Sequence, residues 1–376
     1  TTPPPRSDRG PTTARPLYRR LPTVERKPAE PTFADALTAD LGGPRTTAFL
    51  DRCQELIPWH QLADSIRHLF PEQPQGGRPF WPAVVMLKCV MLQKWYGLSD
   101  PGLEEQLRDR LSFRRFVGLS LADDATPDET TLVRFRDRLR AHGGASTVFD
   151  AALAGLRSKG LVLKEGTIVD ATIVDAPQGR KVRELDGTER HTHDACATYT
   201  RNHGTLRHGY KAHLATDTRG LVTDWVFDTA RPHDSNHIDP LTAAEPTAVY
   251  ADSAYRSKDR ERALLAGRGV RPMIVHKRVR GQEELTPDQR AHNTACSRVR
   301  AFVEHPRAWM AKMGYAAARY RGLTRNALDF ALTAVAYNLK RSFALLGRPL
   351  TKPRPDRPDR LSLAARARLL ARAGLA

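Results

Sequence analysis

Four carboxylates in this chain sit in apolar surroundings where an unpaired charge is expensive. Asp170 and Asp175 lie within GTIVDATIVDAP (166–177), Asp252 follows the short apolar run AVYA (248–251), and Glu304 falls in SRVRAFVEHPRAWMAKMGY. An ionised carboxylate in a covered strand is tolerated only when it is paired or holds a cation. Three acids drawn from two strands and a helix could converge on divalent cations, an arrangement suited to metal-assisted phosphodiester chemistry. On the residues alone, Asp170 and Asp175 are near-equal candidates for the first position. The competing reading is ordinary ion pairing, of Asp170 with Lys211 or His213 and of Glu304 with Arg300 or Arg307.

The elements that must position these acids can be read from the pattern. Residues 167–174 are almost all β-branched, which fits a strand covered on both faces. GYKAHLATDTRGLVTDWVFDTA (209–230) holds two alternating runs joined by Asp217-Thr218-Arg219-Gly220, a hairpin signal. A helix over 236–244, a strand over 248–251, a helix over 258–266, a strand over 273–276 and one helix through Glu304 follow. The order β-β-β-α-β-α-β-α gives a mixed α/β sheet flanked by helices, with a long apolar helix over 324–346 covering it.

Ahead of this lies an all-α region. Helices are expected over 33–70, 82–96, 100–111 behind a Ser99 cap, and 128–142 starting at Thr126-Pro127, with a short turn over 113–117 and a further helix over 148–158. The chain therefore divides into a basic Pro/Arg-rich arm (1–32), a helical domain (33–145), an α/β domain (146–346) with a polar loop over 177–208, and a basic tail (347–376). That loop holds His191, His193, Cys196, His203 and His208, but their spacing lacks the close ligand pairs of structural zinc sites.

Composition narrows the partner. Over 376 residues there are 60 Lys and Arg against 42 Asp and Glu, a net charge of +18, and 40% of the residues are hydrophobic. A field of that size favours polyanions and exceeds the charge of about 2–8 that solubility needs. Arg114, Arg115, Arg134, Arg136, Arg138 and Arg140, interleaved with Phe113, Phe116 and Phe135, suit phosphate contact, or form a solvated face paired to Asp137, Glu104 and Glu105. Lys211, His213 and Tyr210 either meet nucleic acid near the acids or pack on the hairpin. Arg319, Arg321 and Asn326 suggest a phosphate-binding corner, or a helix cap with surface charge. The longest apolar run, 83–92, is broken by Lys88 and falls short of the ~20 residues a bilayer crossing needs, so no membrane partner is expected. Four scattered cysteines argue for a reducing, cytoplasmic setting.

Several motifs, taken in order, resemble bacterial insertion-sequence transposases of the DDE class, in the insertion-sequence-five-like branch. They are GRPFWPAVVMLKCVML, YGLSD, RLSFRRFVGLSL, PDETTLVRFRDRL, VDATIVDAP, GYKAHLATD, ADSAYR, VRAFVEHP and RYRGLTRN, spanning about 78–346. The resemblance implies a DNA-binding helical domain followed by an RNase H-like catalytic domain, double-stranded DNA as partner, and cutting and joining at element ends. It implies Asp170, Asp252 and Glu304 as a triad holding two Mg²⁺ (or Mn²⁺) ions, with Asp170 in the family's VDAT position. It further implies a dimer or larger assembly on DNA. Arg300 matches the family's arginine four residues before the glutamate. The family's basic residue seven after it meets Ala311, with Lys312 next, and its upstream tyrosine is Ser297 here. A DNA-binding protein without catalysis and a nuclease that never joins are the competing functions.

Overall fold

The computed structural model describes residues 45–346 except 71–79, 121–124, 164, 184–186, 188, 192, 203, 243–246, 268 and 279–280, so the arm and the tail lie outside the described residues. Of the segment expected as one helix over 33–70, residues 33–44 lie outside the described residues and the described part forms two helices, α1 (Arg45–Leu56) and α2 (Trp59–Arg67), with Pro58 at the break, where a proline cannot donate the helical hydrogen bond. The third helix, α3 (Ala83–Tyr96), is apolar on most sides and buried along most of its length. A helix of that kind belongs at the centre of a core. Ser99 caps α4 (Asp100–Asp109) as expected, its Oγ accepting from Gly102 N at 3.1 Å.

Residues 111–117 form a true short helix, α5 (Leu111–Val117), rather than a turn. The cap of α6 (Glu129–Ala141) is Asp128, not Thr126, because Asp128 Oδ1 accepts from Thr131 N at 2.6 Å. Helix α7 (Gly144–Ser158) completes this region. Among the described residues no helix is long and apolar enough to cross a membrane.

The sheet begins with β1 (Thr167–Asp175). The expected polar loop contains three strands: a small hairpin of β2 (Lys181–Arg183) and β3 (Glu189–His191), and β4 (Thr198–Asn202). Buried Asp194 anchors the loop, accepting from Tyr210 Oη at 2.8 Å and from Gly322 N at 3.3 Å. Strands β5 (Thr205–Asp217) and β6 (Val222–Thr229) form the expected hairpin. Asp217 Oδ1 shapes its turn by accepting from Arg219 N and Leu221 N, and Gly220 supplies the positive φ of 77°.

Beyond it come α8 (Ile238–Leu241), β7 (Ala248–Ala251), α9 (Lys258–Arg262), β8 (Arg271–Ile274), α10 (Pro287–Arg300), α11 (Glu304–Lys312) and α12 (Leu323–Leu346). The spatial order is β4-β5-β1-β7-β8, with β6 paired to the other half of β5. Strand β1 is antiparallel to β5 and parallel to β7, which is parallel to β8, so the sheet is mixed.

Side-chain alternation assigns the two faces. Val169, Ala215, Val249, Ala251 and Tyr255 share one apolar cluster with Ile238 of α8. Val174, Tyr210, Leu214 and Phe227 point the other way, into a larger cluster with Phe330 of α12, Met310 of α11 and the N-terminal helices. The result is a sheet between helical layers, an RNase H-like arrangement. The larger core runs without a break from α1 to the sheet.

Candidate active site

The register of the parallel pair places the two aspartates. Thr167 pairs with Val249 and Ile168 with Tyr250, so extending that register by two residues sets Asp170 opposite Asp252. Both belong to the set of alternating positions that faces α11 and α12, away from Val169 and Ala251. Asp252 closes its strand, where its Oδ1 accepts from Ser253 N at 2.5 Å and starts a short helical turn.

Glu304 approaches from the covering layer. Its helix is not continuous, since α10 ends at Arg300 and a tight turn over 301–303 intervenes before α11 starts at Glu304. Glu304 thus follows a tighter turn in a helical path, its own N–H donating to Ala301 O.

One side chain ties two of the acids together. Arg307 Nη1 lies 3.1 Å from Asp170 Oδ2 and 3.0 Å from Glu304 Oε1, and its Nε donates to Thr172 Oγ1 at 3.0 Å. Arg300 Nη2 is 3.8 Å from Asp170 Oδ1. Asp170 is only 13% exposed, and its Oδ2, though within ion-pair distance of Arg307, lies off the hydrogen-bonding line and has no hydrogen bond. Burial raises the Asp170 carboxyl above its ordinary range, Arg307 and Arg300 pull it back, and the neighbouring Glu304 raises it.

Residues 163–339 match the Transposase DDE domain family, and residues 41–138 match a Transposase domain family. The chain belongs to the insertion-sequence DDE transposases. No solved structure matches it. The family generally uses divalent metal ions.

The transposase's acids fit such an ion in chemistry. The donors are hard carboxylate oxygens, and one of them is buried without a hydrogen bond. Among the described residues no three His, Cys, Asp or Glu side chains are gathered closely enough to hold an ion. The positive charge between Asp170 and Glu304 is instead the Arg307 guanidinium.

Asp175, the alternative first acid, is held by Arg207, whose Nε donates to its Oδ1 at 2.8 Å and whose Nη2 pairs with Oδ2. Ion pairing of Asp170 with Lys211 or His213 does not occur. Asp170 faces Leu214 across the β1–β5 pair, so Lys211 and His213, at positions of opposite parity, point to the other side of the sheet.

Lys211 and His213 are also buried, which removes them as direct DNA contacts in this conformation. Lys211 Nζ pairs with Asp234 Oδ1 at 2.8 Å, and burial, followed by the neighbouring His237, pushes the His213 imidazole down to about 4. Tyr210 is buried on Asp194. Burial likewise keeps the Tyr255 phenol protonated, which rules against a tyrosine nucleophile.

Asn326 is another correction. It is 1% exposed and clamps the preceding loop, its Nδ2 donating to Tyr320 O and Gly322 O and its Oδ1 accepting from Tyr320 N. Arg136 is buried against Asp100, with contacts of 2.7 and 2.5 Å, and lies over the Tyr320 ring. Arg134, Lys312, Arg319 and Arg321 are exposed. Arg136, Arg319 and Arg321 meet, with Arg140 and Arg325, around one cleft of about 350 Å³ between α6 and the start of α12.

Thr172 is the site residue that residue types did not assign, and of the expected Arg307 contacts the pair with Glu304 is present while that with Asp170 was not foreseen. The signal for Arg307 was its place three residues after Glu304, where helical neighbours touch.

Proposed function

We propose that the transposase binds the ends of its own mobile element as double-stranded DNA, hydrolyses a phosphodiester bond there, and joins the freed 3′-hydroxyl to target DNA. In the first step water attacks phosphorus and the bond to the 3′ oxygen breaks. In the second, that 3′-hydroxyl attacks a target phosphodiester and displaces another 3′ oxygen. One P–O bond forms for each that breaks, so no covalent enzyme intermediate and no nucleotide cofactor are required. The motifs favour the insertion-sequence-five-like branch. The need to hold two element ends together favours a dimer or larger assembly.

Asp170, Asp252 and Glu304 would hold two Mg²⁺ or Mn²⁺ ions. Such ions, when bound, supply Lewis-acid stabilisation of charge on the reacting phosphate and leaving oxygen. The protein's own contribution is placement. Asp170 lies on β1, Asp252 just past the end of the parallel strand β7, and α11 brings Glu304 to the arginine that Asp170 also meets. Arg300 beside Asp170, and exposed Lys312, Arg134, Arg319 and Arg321, supply positive charge for the DNA backbone.

What supports this reading is Asp170 on β1, Asp252 just past the end of the parallel strand β7, and Glu304 sharing Arg307 with Asp170. The test is a cleavage and joining assay on end-bearing duplexes with Mg²⁺, comparing wild type with Asp170→Ala, Asp252→Ala and Glu304→Ala and following DNA binding in parallel. Loss of both steps with binding intact in all three variants is expected. Cut DNA without strand-transfer products would leave a nuclease, and binding without cutting would leave a DNA-binding protein.

A further inference from the structure

We infer that Arg307 is a built-in counter-cation of the acid cluster, which must leave Asp170 and Glu304 before a divalent ion can occupy them. The inference rests on the reading of Asp170, Asp252 and Glu304 as the ion-binding set.

Three contacts define the arrangement. The Nη1 atom of Arg307 bridges Asp170 Oδ2 and Glu304 Oε1, at 3.1 and 3.0 Å, while Nε donates to Thr172 Oγ1 one step along the same strand face. The bridged oxygens belong to two of the carboxylates that would hold an ion. A guanidinium nitrogen in ion-pair contact with both carboxylates and a cation directly ligated by the same oxygens exclude one another, because each fills the space between them. Arg300 does not compete in this way, since it lies 3.8 Å from the other oxygen of Asp170.

Arg307 also has somewhere to go. Its side chain is 36% exposed and Glu304 is 64% exposed, so the open side of the bridge is the side from which DNA would arrive. Among the described residues its anchor away from the carboxylates is the neutral Thr172 hydroxyl. A DNA phosphate offers a planar guanidinium two acceptor oxygens at once, a better match than one nitrogen shared between two acids. Movement of Arg307 onto a phosphate would vacate Asp170 and Glu304 when substrate is present, making DNA and ion binding mutually favourable. Without DNA, the arginine keeps the two carboxylates from repelling one another. Arg307 is thus a positioning residue that sets when the ion site is available.

The experiment is a Mn²⁺ titration of the full-length, DNA-free protein, with free Mn²⁺ followed by electron paramagnetic resonance. It compares wild type with Arg307→Lys, Arg307→Gln, Arg300→Gln and Asp170→Ala. Arg307→Lys is the decisive variant, because it keeps the positive charge while removing the planar fork. Both Arg307 variants are expected to bind Mn²⁺ about three- to tenfold more tightly than wild type, the range for a partly exposed charge contact and a modest coupling. Arg300→Gln is expected to change affinity less than either. Affinity in Arg307→Lys equal to that of wild type, or a gain in Arg307→Gln no larger than in Arg300→Gln, would reduce the effect to net charge and overturn the inference. The Asp170→Ala arm separates the two levels. Mn²⁺ affinity unaffected by that substitution would overturn the ion-site reading itself, whereas lost binding in Asp170→Ala with unchanged affinity in Arg307→Lys overturns only the role of Arg307.

Discussion

Replacing Asp170 with Asn should make the folded protein more stable at neutral pH while removing its cleavage activity. Asp170 is 13% exposed, its Oδ2 lacks a hydrogen bond, and a second carboxylate, Glu304, stands on the same arginine. Asn removes the cost of burying that charge at nearly constant volume. The arginines left behind are 22% and 36% exposed and can rehydrate. Relief of strain of this kind at a functional site is worth about 0.5–2 kcal/mol. For a chain of this size that corresponds to a rise in melting temperature of roughly 1–4 °C.

The sign with pH follows from the raised carboxyl. A raised value in the fold means that the wild-type group contributes stability fully at pH below its ordinary value, and that this is lost as pH rises through the raised one. The gap between Asn and wild type should therefore close in acid and open toward neutrality. Thermal melts in chelator, repeated with Mg²⁺, would measure it. Mg²⁺ should raise the wild-type melting point by mass action and leave that of Asp170→Asn unmoved. A variant that melts below wild type at neutral pH would refute the reasoning, since Asp170 would then be a net-stabilising structural ion pair with Arg300 and Arg307.

Four further outcomes follow from the structure. Lys94 and Asp329 form a buried pair, so Asp329→Leu should cost about 3–5 kcal/mol in denaturant melts while Lys94→Met combined with Asp329→Leu recovers most of it. Asn326→Ala should lower stability by about 1–3 kcal/mol through the loop bonds it makes, without altering the salt dependence of DNA binding. Arg321→Ala should do the reverse, with stability unchanged and the slope of log affinity against log salt reduced by about 1. His213 is neutral in the fold down to about 4 but takes a proton below 6.5 when unfolded, so wild type should lose on the order of 3 kcal/mol as pH falls through that window. Melts of His213→Gln over the same range should show a smaller loss.

The positions of the acids were legible because a carboxylate in a β-branched run or at the end of an apolar one violates the local pattern. The hairpin at 217–220, β7 and the Ser99 cap were legible for the same reason, since each rests on chemistry within a few residues. What was not legible depended on register. Lys211 and His213 alternate with residues facing the acids, and only the pairing of Asp170 with Leu214 decides that they face away. Arg136 looks like a surface polar group until its partner Asp100 arrives from 36 residues away, and Asn326 does until the loop before it folds back so that Tyr320, six residues earlier, meets it. The break before Glu304 escaped notice because the apolar spacing of 299–313 continues across the tight turn at 301–303. Strands β2 to β4 were missed because their residues are polar, and Asp194, which anchors that loop, finds its partners 16 and 128 residues away.

The most direct measurement of the central claim is anomalous scattering from crystals of the protein bound to an element-end duplex and Mn²⁺. The expected result is anomalous density in contact with the carboxylates of both Asp170 and Asp252, with Glu304 turned toward it and Arg307 withdrawn from Asp170. Density elsewhere, or Arg307 still bridging Asp170 and Glu304 with no ion beside them, would contradict the account.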